Sequence, residues 1–293
     1  FRTLPGFAAL SLNFRNDALM FNGLTEFPNN NKGSYLSIFL KQHPVINQLK
    51  DIFPSTTAYS TNFSVSDPVK FESDLADFQA QENSETERPA ILKKIKDETG
   101  INLKAEFTRL LSNEFAVVTT RYREKIAIIQ VKDGSKLQTL MANLSKANTG
   151  STTQLNFDKI PQLILGDAFS IFKRPYYKVI DNYLILTNSL SELASYNDSY
   201  INRKFLNKTE GYNPFNELLA ERSNISFFIQ FKNALPLFKQ DMKPDFYDAL
   251  ETNSSGWKDF YGASWQLASS DKSFYTNFCI RLNSDTTAAK GGL

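Results

Sequence analysis

Ala8-Ala9-Leu10-Ser11-Leu12-Asn13-Phe14, a polar corner at Arg15-Asn16-Asp17, and Ala18-Leu19-Met20-Phe21-Asn22-Gly23-Leu24 stand near the start of the chain. Ala263-Ser264-Trp265-Gln266-Leu267-Ala268, a corner at Ser269-Ser270-Asp271-Lys272, and Ser273-Phe274-Tyr275-Thr276-Asn277-Phe278-Cys279-Ile280 stand near its end. Without a gap, Ala8 aligns with Ala263, Leu10 with Trp265, Leu12 with Leu267, Leu19 with Phe274 and Asn22 with Asn277. In both stretches apolar and polar residues alternate around central turn formers, which predicts two β-hairpins. Repeats bear on the whole architecture, so the match is read first. It predicts that the first hairpin holds, in one half of a sheet system, the place that the last holds in the other. It also places the start of the first repeat upstream of Phe1.

Between the hairpins one unit recurs: an alternating strand, a tight polar corner and an amphipathic helix. It spans Tyr59 to Phe78, Ile126 to Leu144, Leu184 to Tyr196 and Ile225 to Lys239. Asp67-Pro68 supplies an N-cap with proline in the first turn, Asp133-Gly134-Ser135 a turn into a helix, and Ser189-x-x-Glu192 a capping box. Gly100 sits where a glycine C-cap belongs, between helices at 90–99 and 103–111. Pro44 is read as opening a helix through Val45, Ile46, Leu49 and Ile52, and Asn213-Pro214 as capping another that ends near Ala220. Two further helices are placed at Asn233 to Asp241 and Asp245 to Glu251. Residues 162–187 read as a meander of four short strands. Pro28 to Gly33, Gln81 to Arg88 and Asn148 to Thr153 read as loops. Hairpins mixed with packed helices predict an α+β fold with antiparallel sheets and divergent internal duplication. The expected division is a first repeat over 1–150 and a second, closely packed on it, over 151–293.

The 293 residues can bury about three quarters of their unfolded surface. Lys and Arg number 33 against 31 Asp and Glu, interspersed and without a basic stripe, so nucleic acid is not an expected partner. Lys93-Lys94-Ile95-Lys96 reads as the solvated face of a helix. No window approaches the ~18 apolar residues of a membrane span. Cys279 is the only cysteine, expected to be a small core residue of its strand.

His43 is the only histidine, which removes paired-histidine catalysis and multi-histidine metal sites. Nucleophile elbows, phosphate loops and dinucleotide fingerprints are absent. S-x-x-K occurs at Ser170/Lys173, Ser255/Lys258 and Ser269/Lys272, each in a strand or turn context rather than at a helix start. The carboxylate clusters Asp97-Glu98, Glu82/Glu85/Glu87 and Asp241/Asp245/Asp248 fall in loops or on polar helix faces. No cofactor or metal is expected. The chain carries 25 Phe, 12 Tyr and 2 Trp, mostly in the apolar phase of strands and helices, where they should be core. Tyr176, Tyr177, Tyr196, Tyr200, Tyr212 and Trp257 are the rings whose phase leaves an outward, ligand-stacking orientation open.

Thr99-Gly100-Ile101-Asn102-Leu103-Lys104 followed by Leu110-Leu111-Ser112-Asn113-Glu114-Phe115-Ala116-Val117-Val118 resembles a signature of an uncharacterised bacterial envelope family. Tyr177 to Leu193, then Phe205-Leu206 and Asn213 to Leu219, resemble a second block of it. Asn22-Gly23, Tyr35-Leu36-Ser37, Gln42-His43-Pro44 and Phe53 to Ala58 are similar to its Bacteroidota form. The resemblance covers most of the chain and consists of structural punctuation. It implies an extracytoplasmic protein, in the periplasm or at the cell surface, meeting the membrane only through an anchor outside this chain.

These observations lead to a non-enzymatic envelope domain for interaction or scaffolding, with an unknown envelope protein or a glycan as partner. A glycan- or peptide-binding module using exposed aromatic rings is the alternative. A hydrolase with two carboxylates facing across one pocket is third.

Overall fold

Asp67 ends one strand and starts one helix, and the same device recurs around the molecule. Its Oδ1 accepts from the backbone N–H groups of Val69 and Lys70, each at 3.0 Å. This turns strand β4 (Thr57–Ser64) into helix α1 (Pro68–Gln81). Asp133 caps α4 (Gly134–Leu144) after β6 (Lys125–Val131) by accepting from the Lys136 N–H at 3.0 Å. Ser189 caps α6 (Leu190–Ile201) after β8 (Tyr183–Thr187), and Glu192 reaches back to the Asn188 N–H at 2.8 Å. The fourth unit joins β10 (Ile225–Gln230) to α8 (Phe231–Asp241). The computed structural model describes residues 7–15, 17–26, 34–81, 87–145, 154–245, 247–248 and 256–283.

The other elements are the hairpin β1 (Phe7–Arg15) and β2 (Ala18–Glu26), α2 (Glu87–Thr99), α3 (Leu103–Leu110), β5 (Leu111–Thr120), α5 (Ile160–Leu165), β7 (Tyr176–Ile180) and α7 (Tyr212–Asn216). The closing hairpin is β11 (Phe260–Ser270) and β12 (Ser273–Leu282). Ten strands form one antiparallel sheet in the order β1-β2-β12-β11-β10-β4-β5-β6-β8-β7. The fold is α+β, as the pattern predicts. Gly100, at φ +75°, ends α2 as a left-handed cap.

The sheet has a local two-fold between β4 and β10, where Ser60 pairs with Phe228. One row of paired residues crosses it: Tyr176, Thr187, Ile126, Val118, Ser60, Phe228, Ser264, Cys279, Met20 and Asn13. The dyad therefore exchanges β5 with β11, β6 with β12, β8 with β2 and β7 with β1. α1 and α8 follow mated strands. The halves are β4 to β8 on one side, and β10 to β12 joined by β1 and β2 on the other. A boundary at residue 150 falls inside the first half, between the adjacent strands β6 and β8.

The expected placement of the end hairpins is corrected. They lie side by side in the same half, with Asn22 directly opposite Asn277, and the first hairpin is the dyad mate of β7–β8. Shared alternation specifies a hairpin but not its neighbours, because register is set by which face is buried.

Two cores flank the sheet. On one face Phe63 stacks on Phe115 at 5.6 Å and on Phe39 at 5.3 Å, under α1 to α5 and the 3₁₀ turn Tyr35–Lys41. The opposite face packs Ala116, Val118, Ile126, Ile128 and Ile185 beneath α6, α7 and the 3₁₀ turns Leu49–Ile52 and Leu206–Lys208. Most phenylalanines are core, as their phase requires.

Three local readings change. Val45–Ile46, read as the start of a helix, is a short strand β3 paired with β9 (Arg222–Ser223). Residues 162–172, read as two strands, form α5 and a 3₁₀ turn, ended at Gly166 with φ +95°. A short run that is apolar on every side does not separate strand from helix by period. The helix read as capped at Asn213-Pro214 begins two residues earlier, at Tyr212 after Gly211, and stops at Asn216. The loops read at 28–33 and 148–153, and most of the helix read at 245–251, lie outside the described residues.

Candidate functional site

The six aromatic candidates do not gather into one surface. Tyr177, Tyr196 and Tyr212 are buried core residues. Tyr177 shares a hydrogen bond with Ser145 Oγ at 2.7 Å, Tyr196 donates to the Ile52 carbonyl at 3.2 Å, and Tyr212 sits edge-on to Phe228 at 6.0 Å. Burial pushes the Tyr196 and Tyr212 hydroxyls well above the usual phenol range. Tyr176 and Tyr200 are half-buried beside the same core, and Tyr200 donates to Asp181 Oδ2 at 2.7 Å. Trp257 packs on Phe231 at 4.8 Å and stays 36 % exposed. A ring that fills the core offers no face for a sugar to stack on.

A polar cleft of about 360 Å³ opens at one end of the sheet. The turn from β10 into α8 supplies Gln230, Lys232 and Asn233, and the β5–β6 corner supplies Arg121. Asn233 is committed to structure: its Nδ2 donates to the carbonyls of Ser55 at 3.1 Å and Thr57 at 2.9 Å, and to Gln230 Oε1. Arg121 stacks over Tyr122 at 4.8 Å. Glu210 is the only carboxylate among the described lining residues, so no acid pair faces across the cleft. Two cations, one carboxylate and a rim of hydroxyls and amides suit binding of a polar ligand. They provide no nucleophile with an adjacent base.

Glu114 is the buried carboxylate, 1 % exposed on β5. It accepts from the Gln48 N–H at 2.9 Å and the Leu49 N–H at 2.5 Å, so it caps the 3₁₀ turn Leu49–Ile52. Burial raises its pKa, opposed by these bonds, and lowers that of nearby Lys50. The adjoining cavity of about 20 Å³, lined by Asn47, Asn62 and Ser60 among others, is the size of a single water. It is too small for a substrate, and Glu114 is a structural cap. Asp97 and Glu98 are exposed on α2, Asp241 pairs with Arg123, and Glu82 and Glu85 lie outside the described residues. No group of three or more His, Cys, Asp or Glu among the described residues is placed to hold a metal.

A second unusual surface is apolar. On the Phe63 face, β11, β12, β2 and β1 present two rows: Trp265, Phe278, Phe21 and Leu12, then Ala263, Ile280, Leu19 and Phe14. Phe21 and Phe278 are in ring contact at 6.0 Å. Leu12 is 52 %, Leu19 43 % and Phe14 76 % exposed. These rows contain no charged side chain, and the outer edge of β1 pairs with no strand among the described residues over nine positions without proline or bulge. Edge strands ordinarily carry charges or bulges that prevent association.

Sequence reading located neither the cleft nor this face as a site. Arg121 and Lys232 are 111 residues apart and meet only through the sheet. For the apolar face a signal existed: both end hairpins alternate as if one face were covered. Comparison with protein-family models, with curated proteins and with solved structures finds no match to this chain.

Proposed function

We propose that this chain is a non-enzymatic interaction domain whose working surface is the uncharged apolar sheet face of β11, β12, β2 and β1. The supporting observation is the pairing of that face, bearing Leu12, Phe14 and Leu19 at 43–76 % exposure, with a β1 edge that no described strand covers. Contiguous exposed apolar surface marks interaction sites in soluble domains. The extracytoplasmic, envelope-associated part of the reading is supported by the family resemblance alone. A photo-crosslinking amino acid at position 12 or 19, introduced in the native host, is expected to give a discrete protein adduct. The same group at exposed Lys104, on α3, is expected to give none. Absence of adducts at 12, 14 and 19 would sink the reading.

A second reading, small-ligand binding, is favoured by the 360 Å³ polar cleft. Arg121 and Lys232 suit an acidic or hydroxyl-rich ligand, such as an acidic glycan fragment. Titration with uronic-acid oligosaccharides, followed at the Lys232 and Asn233 amides, is expected to give saturable shifts that Lys232→Glu removes. Unchanged spectra with the full panel would dispose of this reading.

A further inference from the structure

The sheet dyad shows what covers this kind of face. The row Ala127, Leu186, Tyr177 in the first half is the mate of Ile280, Leu19, Phe14 in the second. In the first half all three residues are buried, at 0 %, 2 % and 3 % exposure, in the core that α4 joins through Leu137, Leu140, Met141 and Leu144. In the second half Leu19 and Phe14 remain 43 % and 76 % exposed, and no described helix covers their row. α8 repeats only α1: it packs on Ala58, Tyr59 and Ile229, beside the dyad. Helices therefore close one half of the sheet, and no helix among the described residues closes the other.

We propose that the open face takes an amphipathic α-helix from a partner protein, seated where the dyad would place a second α4. The proposal deepens the interaction reading and rests on it. The partner helix carries an uncharged apolar stripe at i, i+3, i+4 and i+7, because the face offers no charge to pair with and burying an unpaired charge is costly. Recognition is by an apolar helical face laid on an apolar surface. Flanking charge lies off the rows: Arg281 is on the other sheet face, tied to Asp17 at 2.9 Å, and Asp271 and Lys272 are in the β11–β12 turn. A second copy would meet the same face with another sheet, a geometry that the first half does not use. A lipid surface would call for a cationic rim beside the aromatic rows, whereas Arg15 and Arg281 share a row on the other sheet face and Lys272 lies in a turn.

The probe is a synthetic peptide of residues 133–145, stapled across the solvent-side positions 135 and 139, and a control with Leu137→Ser and Leu140→Ser. Titrated into the isotope-labelled protein, the first peptide is expected to give saturable methyl shifts at Leu12, Leu19 and Ile280, with Leu186 unmoved. Affinity should fall about ten-fold or more for the control peptide, and likewise for the Phe14→Ser/Leu19→Ser protein, equivalent to at least ~1.4 kcal/mol. Sedimentation equilibrium and flotation with phosphatidylcholine–phosphatidylglycerol vesicles accompany it. No shifts from the peptide, with self-association or vesicle binding lost in Leu12→Glu/Phe14→Glu, would overturn the helical partner and leave an interaction face standing. No engagement of peptide, second copy or vesicle, together with blank crosslinking at 12, 14 and 19, would overturn both.

Discussion

Tyr177 and Phe14 are dyad mates in one sheet, the first 3 % and the second 76 % exposed. Their positions in the strand ladder are equivalent, so the difference lies in what covers them. Tyr177→Ala is expected to cost about 4 kcal/mol, since it empties a packed site and removes the partner of Ser145. Phe14→Ser should change stability by no more than ~0.5 kcal/mol. Urea unfolding of both variants checks the contrast. Equal losses would mean that Phe14 is covered in solution.

Glu114 links folding to pH. Burial raises its folded-state pKa above the unfolded value, so the folded chain holds that proton more tightly. Its contribution is fully present below the unfolded carboxylate pKa and is lost as pH rises through the raised folded value. Glu114→Gln removes the titration and keeps an oxygen for the Gln48 and Leu49 N–H groups. The wild type should therefore lose unfolding free energy relative to the variant as pH rises from the ordinary carboxylate range. Parallel profiles would refute the assignment. Glu114→Ala strands the buried Leu49 N–H and should cost ~2 kcal/mol below the ordinary carboxylate range, the difference narrowing as pH rises.

Cys279 should behave as an inert core thiol. It is 2 % exposed, and burial pushes its pKa up to about 11. Thiolate is the reactive form, so alkylation of the native protein by iodoacetamide at neutral pH is expected to be limited by opening of the fold. The rate in 6 M guanidinium sets the reference. Rapid labelling under native conditions would show that β12 is open at that position.

Two glycines should respond differently to alanine. A Cβ at Gly134 would lie 1.9 Å from the Asp181 carbonyl oxygen, so Gly134→Ala must push α4 away from the β7–β8 turn, at about 3 kcal/mol. A Cβ at Gly100 meets nothing within 4 Å, and Gly100→Ala should cost about 1 kcal/mol for its positive φ alone. Thermal unfolding of the pair separates collision from backbone conformation.

Legibility followed the range of the interactions. Asp67, Asp133, Ser189 and Gly100 act on residues within a few positions of themselves, and the elements they bound stand where the pattern places them. Val45–Ile46 has a helical pattern but pairs as a strand, because its structure depends on Arg222–Ser223, and the turn after it on Glu114. The buried tyrosines were ambiguous for a related reason. Phase says which side of an element a ring is on, and only packing says whether that side is covered.

The sequence by itself determined the α+β class, the hairpins and the recurring strand–helix unit. These follow from local alternation, capping chemistry and composition. The tertiary structure decided the strand order, the dyad at Ser60 and Phe228, the meeting of Arg121 with Lys232, and the open face at Leu12, Phe14 and Leu19. The pairings of β4 with β10 and of β2 with β12, which set the strand order, join residues more than a hundred positions apart. Alternation shows that a strand has an apolar side, and the packed chain decides whether a helix lies against it.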